Sequence, residues 1–167
     1  INISAVNKLM YSRGPDQQGD YKFKNKNFEV NLFSSRLKIQ DLNDRSNQPY
    51  KFKNLVLIFN GEIYNYREIR KELELEGRKF LTTSDTEVLI QSYDEWGLDC
   101  IKKLNGMWGF CIYDKLNEKI ILSRDFFGEK PLFFSFKNNE FIFGSEINYL
   151  FFFNKNLNKI NDYKIGD

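Results

Sequence analysis

Hydrophobic positions along the chain change their period as the sequence proceeds. Ile3, Val6, Leu9 and Met10 recur at helical spacing, so the first residues read as the middle of an element. Residues 28–33 and 36–39 suit short strands, and Leu55-Val56-Leu57-Ile58-Phe59 is a continuous apolar run of the kind that fills a buried central strand. That run stops at Asn60-Gly61. Helical spacing returns in Tyr66, Ile69 and Leu73, with Asn65 and Glu68 placed as a capping box and Gly77 as a stop. A second box, Ser84 with Glu87, precedes Leu89, Tyr93 and Trp96, which share one side up to Gly97. A short third helical segment carries Ile101 and Leu104 and ends at Gly106.

From Gly106 onward the period is that of strands. Residues 107–114, 119–123, 132–136 and 140–144 are rich in aromatic and β-branched side chains, with turns at Leu116-Asn117 and Asn138-Asn139. Mixed sheet, then helices, then an antiparallel meander predicts an α+β fold of stacked layers with helices outside. A doubly wound parallel sheet fits poorly. After Leu150 the pattern decays into Asn/Lys-rich sequence, which reads as a linker.

Composition narrows the class. A chain of 167 residues with 41% hydrophobic and 29% charged residues makes one ordinary domain with a real core. The net charge is +2, and the lysines mostly alternate with asparagine or glutamate, which argues against a nucleic-acid partner. No apolar run approaches the roughly 20 residues of a membrane span, and no secretory signal opens the chain, so the cytoplasm is the simplest compartment. The two cysteines, Cys100 and Cys111, do not make a disulfide framework, although they leave pairing open. The absence of histidine removes every Ser-His and Cys-His scheme and the usual histidine-containing zinc sites.

Candidate chemistry lies at a few positions, each with a bland reading beside it. Asn60 and the Gly61 N–H can point together at a developing oxyanion, and Asn-Gly is also the commonest hairpin dipeptide. The Arg36 guanidinium can take a carboxylate bidentately, or lie solvated on a strand edge. Arg13 and Asp16 of the Arg13-Gly14-Pro15-Asp16 turn can pair with each other. Asp85 can cap a helix or receive a substrate ammonium. Cys111, inside a strand, reads as inert packing.

Taken in order, a set of blocks closely resembles the class II glutamine amidotransferase domain of glutamine-dependent asparagine synthetases. The blocks are Arg13-Gly14-Pro15-Asp16, Ser35-Arg36-Leu37-Lys38-Ile39, Asn60-Gly61-Glu62-Ile63-Tyr64-Asn65-Tyr66, Ser84-Asp85-Thr86-Glu87-Val88, Gly106-Met107-Trp108-Gly109-Phe110, the stretch 124–132 from Arg124-Asp125 to Pro131-Leu132, and Gly144-Ser145-Glu146-Ile147. The resemblance implies the four-layer αββα sandwich of N-terminal-nucleophile hydrolases over residues 1–150, with 151–167 a linker or the start of an ATP-dependent synthetase domain. It implies that Arg36 holds the α-carboxylate of L-glutamine, that Asp85 and Glu62 hold its α-ammonium end, and that Asn60 with the Gly61 N–H forms the oxyanion hole. Arg124-Asp125 and Lys130-Pro131 look like structural blocks.

In that family the nucleophile is an N-terminal cysteine whose own α-amine, titrating near 8, is the base. This chain opens on Ile1 and looks truncated ahead of that group. Smaller departures are Ser12 and Ser34 where the family often has histidine, Phe126 where it usually has arginine, and paired phenylalanines after Leu132. The resemblance implies no cofactor in this domain, and ATP, Mg²⁺ and aspartate in the synthetase domain. A homodimer is left open. The competing readings are a catalytically inactive glutamine-binding or scaffolding module, and the glutaminase domain of an amidotransferase with a different acceptor.

Overall fold

The computed structural model describes residues 2–38, 41 and 43–154. Helix α1 (Ile3–Met10) opens on Asn2, whose side chain accepts the Ala5 N–H, so the first residues form the capped start of a helix and not its middle. Strands β1 (Gln17–Lys24) and β2 (Glu29–Arg36) form an antiparallel pair. The candidates 28–33 and 36–39 are thus one strand ending at Arg36, and Ile39 lies outside the described residues. Strand β1 escapes the period because its sequence, QQGDYKFK, has only two hydrophobic residues, Tyr21 and Phe23.

A four-stranded antiparallel sheet runs β3 (Tyr50–Phe52), β4 (Leu55–Ile63), β5 (Gly106–Asp114) and β6 (Lys119–Arg124) in that spatial order. Between β4 and β5 the chain makes α2 (Tyr66–Leu75), α3 (Asp85–Trp96) and the short α4 (Cys100–Lys103). Strands β7 (Phe133–Lys137) and β8 (Glu140–Gly144) form a separate hairpin, followed by α5 (Ile147–Phe153). Asn138 and Asn139 both have positive φ (52° and 62°), the left-handed pair that a two-residue hairpin turn demands. All named strand pairs are antiparallel, which corrects the expected mixed sheet, and β7 does not extend the meander from β6.

Alternation sorts the core. Leu55, Leu57 and Ile63 of β4 and Trp108, Phe110 and Ile112 of β5 face one way, against Ile69 and Leu73 of α2 and Val88 and Leu89 of α3. Val56, Cys111 and Tyr113 face the other way, against Leu32 of β2 and, at the margin, Phe143 of β8. Helices α1 and α5 pack beyond, on β2 and on the β7–β8 hairpin. The order helices, sheet, strand pairs, helices is the expected αββα layering. Cys100 and Cys111 are both free and buried, and burial raises the thiol pKa of each, Cys100 to about 11.

Helix ends differ from the sequence in instructive ways. Asn65 does not cap α2; its amide bonds the Lys103 carbonyl (2.8 Å) and the Asn105 N–H (2.8 Å), tying β4 to the start of β5. Gly77, at φ 89°, ends α2 as expected. Ser84 does cap α3, but Glu87 reaches the N–H groups of Leu81 and Thr82 and not that of Ser84. The capping box is half formed, and its other half orders the loop ahead of α3.

Candidate functional site

Asn60 and Gly61 were expected to leave the strand in a turn. They lie inside β4, opposite Gly109 and Trp108 of β5. Strand geometry then decides where their donors point. The N–H groups of Phe59 and Ile63 donate to Gln48 Oε1 (2.7 Å) and Asp85 Oδ2 (3.0 Å), beyond the end of the short β3, whereas the Tyr64 N–H turns toward β5 and donates to the Asn105 carbonyl. By alternation the Gly61 N–H faces the same open edge as Phe59 and Ile63, between Gln48 and Asp85. A side chain at Gly61 would place Cβ 2.1 Å from the Met107 carbonyl oxygen, and φ is 155°, so only glycine lets β4 and β5 pair here.

The Asn60 side chain points to the opposite face from Gly61, toward the layer that holds β2. Its cross-strand neighbour is Gly109, against which the 130–132 segment packs: a Cβ there would lie 3.4 Å from the Pro131 carbonyl oxygen. Asn60 Nδ2 is buried and has no hydrogen-bond partner among the described residues. A buried amide donor left unsatisfied costs about 1–3 kcal/mol unless something outside the protein accepts it.

Arg36 terminates β2 and is braced from behind. The Gly14 Cα abuts it so closely that a Cβ would fall 2.5 Å from the Arg36 backbone, and Ser35 Oγ donates to the Gly14 carbonyl at 2.7 Å. The Arg13–Asp16 turn is therefore a buttress, and its two charges do not pair with each other. Arg13 meets Glu146 (3.2 Å), and Asp16 accepts the Lys38 N–H (2.9 Å). The Arg36 guanidinium donates to Asn47 Oδ1 (3.2 Å) and to the Asp41 carbonyl (2.8 Å). Burial lowers its pKa, opposed by the negative charges of Asp41, Asp85, Asp44 and Asp16.

Asp85 is the first residue of α3, and the capping expected of it belongs to Ser84. Its carboxylate instead accepts the Ile63 N–H and so locks α3 to β4. Burial raises its pKa to about 6, against hydrogen bonds from Ile63 and Thr86 that lower it, and the nearby Glu62 charge raises it further. Arg36, Asn60, Gly61, Glu62 and Asp85 all line one cleft of about 1010 Å³ between β2, the β4–β5 pair, α1 and the β7–β8 hairpin. A cleft this size accommodates an amino acid with room to spare.

Several residues of the neighbourhood carried no sequence signal. Gln48, Asp41 and Asn47 come from the stretch between β2 and β3 and hold the β4 edge and Arg36 through single side-chain or backbone atoms. Asp125, from the block that reads as structural, is 5% exposed, and its carboxylate accepts N–H groups from Trp108, Glu129 and Lys130. It thereby anchors β5 opposite Gly61. Among the described residues no three His, Cys, Asp or Glu side chains converge to hold a metal ion, and no helix is long and apolar enough to cross a membrane.

The layers and the cleft define an α+β amidotransferase fold, and comparison with known proteins agrees. The solved glutamine phosphoribosylpyrophosphate amidotransferase of Bacillus subtilis superposes with a TM-score of 0.61 at 25% identity, covering 72% of this chain and 28% of that one. The family model for the glutamine amidotransferase domain matches residues 2–165, and the chain belongs to that family. A putative glutamine-hydrolysing asparagine synthetase 2 of Methanocaldococcus jannaschii is 38% identical over 161 residues, 87% of this chain and 31% of that protein. The glutamine-hydrolysing asparagine synthetase 3 of Bacillus subtilis is 39% identical over 149 residues, 87% of this chain and 24% of that protein. The chain thus spans about a quarter to a third of the length of these relatives.

Proposed function

We propose that the cleft binds L-glutamine and that the complete polypeptide hydrolyses it to glutamate and ammonia, which a following ATP-dependent domain uses to convert aspartate to asparagine. The observation that carries the reading is the pair of donors at the cleft floor. Asn60 Nδ2 is buried without a partner among the described residues, and the Gly61 N–H stands on the open strand edge beside it. Two preorganised donors suit the oxygen of a tetrahedral intermediate, where charge develops during attack on an amide. Arg36 supplies a cation for the α-carboxylate, and Asp85 with Glu62 supplies anions for the α-ammonium group. The nucleophile in this reading is an N-terminal cysteine thiol, with its α-amine as base.

The lengths of the relatives support a synthetase domain in the same polypeptide, and ATP and Mg²⁺ would be bound there. No residue described above is assigned to that chemistry. Calorimetric titration with L-glutamine and D-glutamine, together with ammonia release by the full-length protein, tests the reading. Binding of the L-isomer that is lost in Arg36→Ala and Asp85→Ala supports it; equal binding of both isomers, or binding unaffected by either substitution, removes it. Failure of the full-length protein to aminate aspartate while releasing ammonia from glutamine would move the acceptor, and not the glutaminase, to another class.

A further inference from the structure

Arg36 and Asp85 can grip the two ends of one small zwitterion only if their separation is fixed, yet they come from different elements, the end of β2 and the first turn of α3. Asp41 touches the supports of both. Its backbone carbonyl accepts a hydrogen bond from Arg36 Nη2 at 2.8 Å. Its carboxylate accepts from the Thr83 N–H at 2.9 Å and from Thr83 Oγ1 at 3.2 Å, two residues ahead of Asp85 and next to the capping Ser84. The same carboxylate takes the Asn43 N–H at 3.2 Å and meets Arg45 Nε at 3.3 Å.

These contacts are unusual for a loop residue. The Asp41 side chain is only 2% exposed, although the neighbouring Asn43, Asp44 and Arg45 are exposed. Its backbone sits at φ 45°, a left-handed conformation that costs a non-glycine residue energy and persists where surrounding contacts impose it. Burial pushes the carboxyl pKa up, but the bonds from Thr83 and Asn43 outweigh it and hold the group at about 2, so it is ionised at any working pH.

We infer that Asp41 is a positioning residue: it sets the distance and orientation between the Arg36 guanidinium and the Asp85 carboxylate, and so the fit of the amino-acid head group. This rests on the glutamine reading above. Asp41 meets no substrate itself; it acts through Arg36 on one side and Thr83 on the other. A misplaced head-group clamp weakens substrate and transition state alike, so the loss falls on KM, with kcat spared.

The test is steady-state ammonia release from glutamine by the full-length enzyme, with Arg36→Ala measured alongside. Asp41→Ala is expected to raise KM about ten-fold or more while kcat changes less than about three-fold. Asp41→Asn keeps the backbone acceptor and one side-chain acceptor but loses the ion pair with Arg45, and its KM is expected to fall between parent and alanine, about three-fold up. An unchanged KM in Arg36→Ala would overturn the glutamine reading itself. A raised KM in Arg36→Ala with a parental KM in folded Asp41→Ala would overturn the positioning role alone, as would a loss in Asp41→Ala that falls on kcat and tracks the folded fraction. If Asp41→Ala does not fold, Asp41→Asn decides, and a parental KM there overturns the role.

Discussion

Asp85 places a cost of function inside the fold, and Asp85→Asn should reveal it. The carboxyl is 5% exposed, and burial lifts its pKa from 3.8 to about 6. The folded state therefore holds this proton more tightly than the unfolded chain does. As pH rises through the window from 3.8 to about 6 the unfolded carboxyl ionises first, and the group subtracts stability; above about 6 the subtraction is complete, at ~3 kcal/mol. Asparagine retains an oxygen to accept the Ile63 N–H but has nothing to ionise. Its amide N–H₂ can be left unpaired at a cost of about 1–2 kcal/mol. The variant should consequently be ~1–2 kcal/mol more stable than the parent at pH 8, and the gain should vanish or reverse at pH 4. Urea unfolding of both proteins at pH 4, 6 and 8 measures the difference directly, and contributions of titrating groups that do not interact with Asp85 cancel between them. On the proposed binding mode the same variant should bind glutamine about ten-fold more weakly at pH 8, because the ammonium group would lose its anion. A stability difference that does not change with pH, or a variant less stable than the parent at pH 8, would show that the Asp85 carboxylate is not penalised by its burial.

Two other substitutions separate chemistry from scaffolding. If Asn60 serves the proposed oxyanion site, Asn60→Ala in the full-length enzyme should lower kcat for glutamine hydrolysis by about 10²–10³ with KM near parental; retention of kcat removes Asn60 from that site. Asp125→Ala strips an acceptor from the N–H groups of Trp108, Glu129 and Lys130 and should cost about 2–4 kcal/mol in thermal or urea unfolding, and a loss below about 1 kcal/mol would mean that the 125–130 turn holds itself together.

Elements with a strong period were legible in the sequence, and the reasons for the exceptions are local. The apolar run 55–59, the helical faces of α2 and α3 and the aromatic alternation after Gly106 all become elements close to where the pattern places them. Strand β1 was invisible because its outward face is polar and its inward residues, Tyr21 and Phe23, are too few to set a period. The Asn60-Gly61 dipeptide misled for a different reason. Its turn preference is a property of two residues, whereas nine consecutive pairs between β4 and β5 hold the backbone extended through it. Tertiary pairing outweighed local preference, and it did so at the position where a donor is left facing the cleft.

The site divides along the same line. Arg36, Asn60, Gly61, Glu62 and Asp85 stand in motifs, as the proposed ligand contacts require because each must be of one chemical type, and each lines the cleft. What places them was not legible, because support can come from any polar atom within reach. Gln48 holds the β4 edge with a side-chain oxygen, Asp41 holds Arg36 with a backbone carbonyl, and Asn47 shares that guanidinium with an amide oxygen. All three belong to one polar stretch, 41–48, that in sequence looks like an ordinary connection between strands. Asp41 in it is held by partners 5 and 42 positions away, Arg36 and Thr83, and such distances leave no periodic trace. The stretch is therefore where altered glutamine affinity should arise without any change to the residues that face the cleft chemistry, since moving Asp41 moves Arg36 and the approach to Asp85 together.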